Sequence, residues 1–292
     1  MNSSVHILKA DGSRQAFRPE KLVYSLKRIG ADDAVIEKIV AHIQGEIVEG
    51  VTTNDIYHHA FNLLRQHQKP VAAKYSLRRA LAGLGPTGFP FEKFVAEVFR
   101  AKGYTAETDQ TVRGACVPHE VDVVAYKDDG VPASVSTEAA LSGPDLIMCE
   151  LKFHNEVGFK TDLKVALYVK ARFDDLRSQT FEYGGKKRPF GEGWLVTNTK
   201  FTQTAIDYGR CAGLKMIGWN YPEKENLEEW IEESGLHPLT CISTLTDSHR
   251  QELFRRGIVL CKTLIADPSI LTSMGLSTSK IAEVKEELES VC

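Results

Sequence analysis

Three polar side chains in the middle of the chain have the types and the spacing to bind a metal ion. Glu150 and Lys152 lie two residues apart in an apolar run, so in a β-strand both side chains project from the same face. Asp122 interrupts a second apolar run, between Val121 and Val123, on a strand that could pair with the first. Two carboxylates hold a divalent cation, and a lysine beside them orients an attacking water or neutralises developing charge. Such a set suits the hydrolysis of a phosphodiester.

A further carboxylate comes from the helix predicted before these strands. The buried stripe of this helix is defined by Phe91, Phe94, Val95, Val98 and Phe99. At about 100° per residue, Glu92 borders that stripe, so we expect it to reach the strand ends. Taken alone, however, a Glu-x-Lys pair is common and usually means a solvated strand face.

The elements that must position these residues fall into three zones. Residues 1–86 predict a short hairpin followed by helices, residues 87–237 alternate helix and strand, and residues 238–292 return to helices. The Gly- and Pro-rich stretch 83–88 marks the first boundary. The expected fold class is α/β, or more broadly α+β, in a multidomain chain.

The middle zone is predicted in more detail because it carries the carboxylates. A helix is expected at 91–102, and strands at 120–126 and 146–153 are joined by a polar excursion, 127–145. That excursion is longer than a hairpin loop of about 2–5 residues. Thr197 and Asn198 end a later buried strand, where they support the site or cap the loop.

The order of these motifs resembles the PD-(D/E)xK nuclease superfamily, in its Mrr-type restriction-endonuclease-like branch. The matching stretches cover most of residues 88–222 and are Phe-Glu-Lys-Phe-Val-Ala-Glu-Val-Phe, Glu-Val-Asp-Val-Val-Ala, Cys-Glu-Leu-Lys-Phe and Trp-Leu-Val-Thr-Asn-Thr-Lys-Phe-Thr. The resemblance implies an α/β/α core in which Asp122, Glu150 and the Leu151 carbonyl hold Mg²⁺ or Mn²⁺. It also implies that Lys152 is the catalytic lysine and Glu92 an accessory catalytic acid. The sequence departs from the pattern in having no proline immediately before Asp122.

Two lysines and a threonine stand at special points of the N-terminal zone. Lys9 ends the first predicted strand, Lys21 lies near the start of the first helix, and Thr53 opens and caps a later helix. A helix N-terminus offers unpaired N–H groups and a positive dipole end, so nearby cations suit a polyphosphate. Taken singly, each of these residues is better explained as a surface cation or a cap. No Gly-x-x-x-x-Gly-Lys-[Ser/Thr] motif is present, which argues against a P-loop ATPase.

Together these residues resemble the ATP-cone, the regulatory nucleotide-binding domain of ribonucleotide reductases and of the reductase repressor. Ile-Leu-Lys-Ala-Asp-Gly matches its opening strand and turn, and Val-Thr-Thr-Asn-Asp-Ile-Tyr matches its later capped helix. The resemblance covers residues 5–83. It implies that Ile7, Lys9, Lys21 and Thr53 line a pocket for ATP or dATP. Ala10 stands where the family often has a second basic residue.

The C-terminal zone contains two junctions of the type helix–Gly–apolar–helix. They are Arg255-Arg256-Gly257-Ile258-Val259 and Ser273-Met274-Gly275-Leu276-Ser277. They loosely resemble helix-hairpin-helix elements, which hold DNA phosphates through turn N–H groups. A small helical bundle that packs on the central zone or mediates self-association explains them equally well.

The composition excludes several classes of protein. The 292 residues are 42% hydrophobic and 26% charged, which is typical of a globular chain rather than a disordered one. No apolar stretch approaches the roughly 20 residues of a membrane span, and the first residues carry no secretory signal. Six scattered cysteines without a Cys-x-x-Cys pair favour a reducing cytoplasm. The net charge of −3 requires any DNA-binding surface to be a local patch.

The expected function is an ATP- or dATP-regulated, Mg²⁺-dependent DNA endonuclease of the cytoplasm. Its expected partners are DNA and the nucleotide, with no membrane, and self-association is left open. One alternative is a nucleotide-responsive DNA-binding regulator whose nuclease-like fold no longer cuts. A third interpretation is a structural oligomer scaffold.

Overall fold

The computed structural model describes residues 5–9, 12–85, 87–127, 145–156 and 158–291. Of the excursion predicted at 127–145, residues 128–144 lie outside these ranges, so its expected role in substrate contact stays a prediction. The fold class is confirmed, since the described residues form a mixed α/β, multidomain structure.

The N-terminal zone is a small hairpin against a group of helices. The elements are β1 (His6–Leu8), β2 (Arg14–Ala16), α1 (Pro19–Arg28), α2 (Asp33–Glu46), α3 (Thr53–His67) and α4 (Lys69–Ala82). The two strands pair antiparallel, with Ile7 opposite Gln15. Helices α1, α2 and α3 bury a common apolar core around Leu26, Ile39 and Leu64, which holds the zone together.

Helix α3 begins at a capping box, and its cap lies one residue before the Thr53 cap expected from the sequence. The Thr52 hydroxyl accepts a hydrogen bond from the Asp55 amide at 3.1 Å, and the Asp55 carboxylate accepts one from the Thr52 amide at 3.1 Å. Thr52 is therefore the cap, and Thr53 is the first helical residue. The Thr53 hydroxyl instead donates to the Leu8 carbonyl at 3.1 Å, which ties α3 to the end of β1.

A twisted five-stranded sheet forms the middle of the described structure. Its strands, in spatial order, are β11 (Lys215–Ile217), β9 (Glu192–Thr197), β5 (Leu146–Lys152), β4 (Pro118–Tyr126) and β3 (Thr105–Arg113). The pairs β3–β4 and β4–β5 are antiparallel, whereas the pairs β5–β9 and β9–β11 are parallel. The sequence analysis missed β3 because this edge strand is mostly polar and buries only Ala106 and Val112.

Helices cover both faces of the sheet. Their bounds are α5 (Phe89–Ala101), α6 (Leu163–Leu176), α7 (Gln203–Ala212) and α8 (Leu227–Ser234). Along β5 the side chains alternate, so that Ile147 and Cys149 pack towards α5 and α8 while Leu146 and Met148 pack towards α6. The result is three layers, α/β/α, with β5 buried in the middle.

Short elements complete the chain. They are β6 (Lys160–Thr161) paired with β10 (Lys200–Phe201), the hairpin β7 (Phe181–Tyr183) and β8 (Lys186–Arg188), and the C-terminal helices α9 (Asp247–Arg255), α10 (Cys261–Ala266), α11 (Ser269–Ser273) and α12 (Thr278–Val291). Gly257 and Gly275 end helical segments at φ +73° and +77°, where a glycine is favoured. Among the described helices, none has the length and apolar character needed to cross a membrane.

Helix α4 connects the N-terminal zone to the rest of the molecule. Leu77, Leu81 and Leu84 are buried in the same apolar core as Phe91 and Phe94 of α5. At the same helix, the Thr240 hydroxyl donates to the Ala80 carbonyl at 2.5 Å. The last helix of the N-terminal zone is therefore a part of the central core rather than a free linker.

Replacing the cap of α3 tests how the N-terminal zone is held together. We expect Thr52→Ala to destabilise the start of α3 by about 1 kcal/mol, because the Asp55 amide loses the hydroxyl that accepts its hydrogen bond. Amide hydrogen exchange in α3 should then quicken about fivefold, while exchange in β5 stays unchanged. Thr52→Ser, which keeps the hydroxyl, is the control. Equal exchange rates in wild type and Thr52→Ala would contradict this role for Thr52.

Candidate functional site

The carboxylates predicted at 122 and 150 lie side by side at one end of the sheet. Strand β4 pairs with β5 up to Val123 opposite Cys149, and one further step along the same register sets Asp122 opposite Glu150. The Leu151 amide donates to Asp122 Oδ2 at 2.7 Å. Glu150 is 6% exposed, whereas Lys152, two residues on, is exposed at the end of β5.

Glu150 has one oxygen occupied and one oxygen without a partner. The Arg172 guanidinium, from α6, forms an ion pair with Glu150 Oε2 and also donates to the Glu120 carbonyl. Glu150 Oε1 is buried and has no hydrogen-bond partner among the described residues. A buried carboxylate oxygen left in this way is costly, so the site as it stands is short of positive charge.

Burial and mutual repulsion shift the protonation of these acids. Burial, with the Asp122 charge as the second cause, raises the pKa of Glu150 to about 8, although Arg172 opposes the shift. Burial, followed by the charges of Asp122 and Asp109, raises the pKa of Glu92 to about 7. The pKa of Asp122 is also raised by burial, against the lowering effect of the Leu151 amide. The three predicted acids therefore share one electrostatic environment.

The acids converge without forming a tight triad. The ligand oxygens of Glu92, Asp122 and Glu150 do not all lie within 4.8 Å of one another. In the described ranges, three side chains with that spacing occur elsewhere in the chain. Asp109 also interacts with Glu92 and contributes to the raised pKa of that carboxyl group. This arrangement still fits Mg²⁺, because that ion keeps several waters and uses only one or two carboxylates. The unpartnered Glu150 oxygen and the neighbouring Asp122 carboxylate supply such a pair.

A cavity of about 450 Å³ lies beside the carboxylates. Its lining includes Glu92, Lys152, His154 and Phe159. Asp122 and Glu150 are not among the residues that line it. The cavity thus brings the predicted lysine and the accessory acid to one solvent-accessible cleft.

The end of β9 supports the backbone that follows the active strand. The Thr197 hydroxyl donates to the Lys152 carbonyl at 2.7 Å. The Asn198 side-chain amide donates to the His154 carbonyl at 2.7 Å, and its oxygen accepts from the His154 amide at 2.9 Å. Thr197 and Asn198 therefore hold the backbone at the end of β5 and in the loop that follows it, and both alternatives named from the sequence stay open.

Some residues of the cluster escaped the sequence analysis. Glu120 shares a strand face with Asp122 at a spacing of two, a signal that could have identified it. Asp109 belongs to the acidic cluster and lies on β3, a strand that was not predicted from the sequence. Its backbone has a left-handed φ of +56°. Arg172, on α6, forms an ion pair with Glu150 that no local sequence pattern indicates.

The four predicted nucleotide contacts gather around the N-terminal hairpin. Ile7 is buried in the local core, and Lys9 follows Leu8 directly at the end of β1. Thr53 reaches the Leu8 carbonyl, as described above. Lys21 Nζ donates to Gln15 Oε1 at 3.3 Å, and Gln15 pairs with Ile7 across the hairpin. The start of α1, the start of α3 and β1 therefore meet at one place.

Comparisons with known proteins agree with parts of this picture. The family model of the ATP cone domain matches residues 5–83, and the model described as AF1548-like, C-terminal, matches residues 237–292. An uncharacterized protein of Archaeoglobus fulgidus is 36% identical over 198 residues, which span 68% of this chain and 99% of the relative. The chain belongs to the AF1548-like family. The ATP cone at its N-terminal end indicates a nucleotide-regulated function.

A solved structure of the AF1548-like family is similar to this chain. The crystal structure of AF1548, a protein of unknown function, shares 35% identity and a TM-score of 0.53, and the match covers 70% of this chain and 97% of that chain. The similarity thus extends to the fold.

The raised pKa of Glu150 gives a test that depends on pH. A carboxyl group whose pKa is higher in the folded state stabilises the fold below its unfolded pKa, and this contribution is lost as pH rises through about 8. In the presence of a chelator, we expect the Tm of the wild type to fall more steeply than that of Glu150→Gln between about pH 5 and pH 9. Parallel Tm curves for the two proteins would contradict the assigned environment of Glu150.

Proposed function

We propose that this protein is a Mg²⁺-dependent DNA endonuclease whose activity is regulated by ATP or dATP. The observation that carries the proposal is the buried Glu150, with one unpartnered carboxylate oxygen, next to the half-buried Asp122 and beside a lysine that faces an open cleft. Two carboxylates and a lysine at a strand end suit metal-assisted hydrolysis of a phosphodiester.

Each residue has a distinct task in the proposed reaction. Asp122, Glu150 Oε1 and the Leu151 carbonyl would hold the cation, while Arg172 keeps the second oxygen of Glu150 occupied. A bound Mg²⁺ would polarise the scissile phosphate and lower the pKa of a water. Lys152 would orient the attacking water and neutralise charge on the phosphate.

Glu92 suits proton transfer at the same cleft. Its pKa of about 7 means that it exchanges protons readily near neutral pH. Glu92 and Lys152 both line the cavity, so a proton donor or acceptor and an ammonium group face the same space. Phe159, which is 55% exposed and stacks on His154 with ring centres 6.0 Å apart, offers an apolar surface to a base.

The proposed regulation rests on the way α4 reaches the cleft. After the buried residues of α4, the chain passes Gly85, where an added Cβ would lie 2.2 Å from Asn155 Oδ1 and 2.8 Å from a ring carbon of Phe153. Phe153 and Asn155 line the cavity next to Lys152. A change in the position of α4 upon nucleotide binding would therefore press directly on the loop that follows the catalytic strand.

The second candidate is a nucleotide-responsive DNA-binding regulator that does not cut. The observation that favours it is the Arg172–Glu150 ion pair, which engages one of the two Glu150 carboxylate oxygens with a side chain of the protein itself. Both candidates share the ATP cone, so only the chemistry of the carboxylates distinguishes them.

Cleavage of plasmid DNA separates the two candidates. The assay uses Mg²⁺ or Mn²⁺, with and without ATP or dATP. We expect the wild type to cut, and Lys152→Ala and Asp122→Asn each to lower the rate by at least about 100-fold. Lys160→Ala, an exposed lysine outside the cavity lining, is the matched control and should cut normally. A gel shift without cutting in either metal would support the regulator and refute the endonuclease.

The route from α4 to the cleft predicts an uncoupling substitution. In Gly85→Ala the new methyl group displaces Phe153, so we expect ATP or dATP to bind with a Kd within about twofold of wild type while the nucleotide no longer changes the cleavage rate. Calorimetry measures the binding, and the plasmid assay measures the response. Gly45→Ala, in α2 with open space at the added Cβ, is the control. A normal nucleotide response in Gly85→Ala would refute this route.

A further inference from the structure

One group of metal-binding side chains lies outside both sites described above. His42 and Glu46 stand one turn apart near the end of α2, and His59 stands on α3, which packs against α2. Their ligand atoms all lie within 4.8 Å of one another. In the described part of the chain, these residues are the set of three possible metal ligands with that spacing. These residues are not among the predicted nucleotide contacts.

The two His–Glu distances in this group are close to those between neighbouring ligands of a tetrahedral ion. His42 Nε2 lies 3.3 Å from Glu46 Oε1, and His59 Nε2 lies 3.4 Å from Glu46 Oε2, the other oxygen of the same carboxylate. A hydrogen bond between charged groups is usually shorter, at about 2.7–2.9 Å. Ligands held at about 2.0–2.1 Å in a tetrahedron are about 3.3–3.4 Å apart. The two histidines thus approach the Glu46 carboxylate at ligand-to-ligand distances rather than at those of short hydrogen bonds.

The two imidazoles approach each other as well as the carboxylate. Their ring centres are 4.9 Å apart in a T-shaped arrangement. An ordinary helix ion pair between residues i and i+4 would explain His42 with Glu46, but not why His59 of another helix joins them. The side chains of His42 and His59 are 44% and 35% exposed, so an ion can reach them from solvent and keep water as a further ligand.

We propose that His42, Glu46 and His59 bind one divalent transition-metal ion, with Zn²⁺ as the expected occupant. Two imidazole nitrogens and one carboxylate oxygen suit Zn²⁺, whereas Mg²⁺ prefers an all-oxygen set. The ion ties α2 to α3. Because the start of α3 carries Thr52 and Thr53 beside the hairpin, this cross-link braces the helix that leads into the predicted nucleotide pocket.

Calorimetric titration with ZnCl₂ alone tests the site in the full-length, tag-free protein after chelator treatment. We expect one Zn²⁺ to bind per chain in the wild type and in His67→Ala, an exposed histidine of the same helix. The binding should be lost in His42→Ala, in His59→Ala and in Glu46→Gln. Far-UV circular dichroism identical to wild type checks the folding of each variant.

Two further measurements distinguish this site from the carboxylates of the central sheet. The double variant Asp122→Asn/Glu150→Gln should still bind Zn²⁺ with wild-type affinity. Zn²⁺ should raise the Tm of the wild type, and this rise should disappear in His59→Ala. Absence of Zn²⁺ binding, binding that survives removal of both histidines, or binding lost only in the Asp122/Glu150 double variant would overturn the proposal.

Discussion

Burial of Glu150 next to Asp122 is the interaction on which the rest of the account depends. A carboxylate at the end of a buried strand loses its water, and here a single guanidinium satisfies only one of its oxygens. The neighbouring acids add repulsion, which appears as raised pKa values at Glu92, Asp122 and Glu150. A core built only for stability would not keep such a group, because an apolar residue of similar size avoids the penalty. The cost is consistent with a site that acquires a cation in use.

The three layers explain how this cluster stays in place. Strand β5 is covered on one face by α5, which supplies Glu92, and on the other by α6, which supplies Arg172. The end of β9 then holds the Lys152 and His154 backbone through Thr197 and Asn198. Helix α4 belongs to the same core as α5, so the last helix of the ATP cone is packed against the elements that form the cleft.

The parts of this structure that could be predicted from the sequence are those with strong local patterns. The apolar runs around Asp122 and Glu150 predicted the two strands, and the stripe of α5 predicted a border position for Glu92. Strand β3 could not be predicted in this way, because its alternation is weak and its pairing depends on β4. Arg172 is 22 residues from Glu150, and no local pattern indicates that a surface-type residue turns inward to pair with a buried acid. The shift of the α3 cap from Thr53 to Thr52 has a similar origin, since two adjacent threonines both suit a cap and the contact with Leu8 decides between them.

The proposed function requires that Asp122 and Glu150 hold a divalent cation. Anomalous diffraction at the manganese edge, from crystals grown with MnCl₂, locates such an ion. We expect a peak within bonding distance of Asp122, Glu150 and the Leu151 carbonyl, with Arg172 still on the far oxygen of Glu150. A map with no peak between these groups, at saturating Mn²⁺, would refute the cation site.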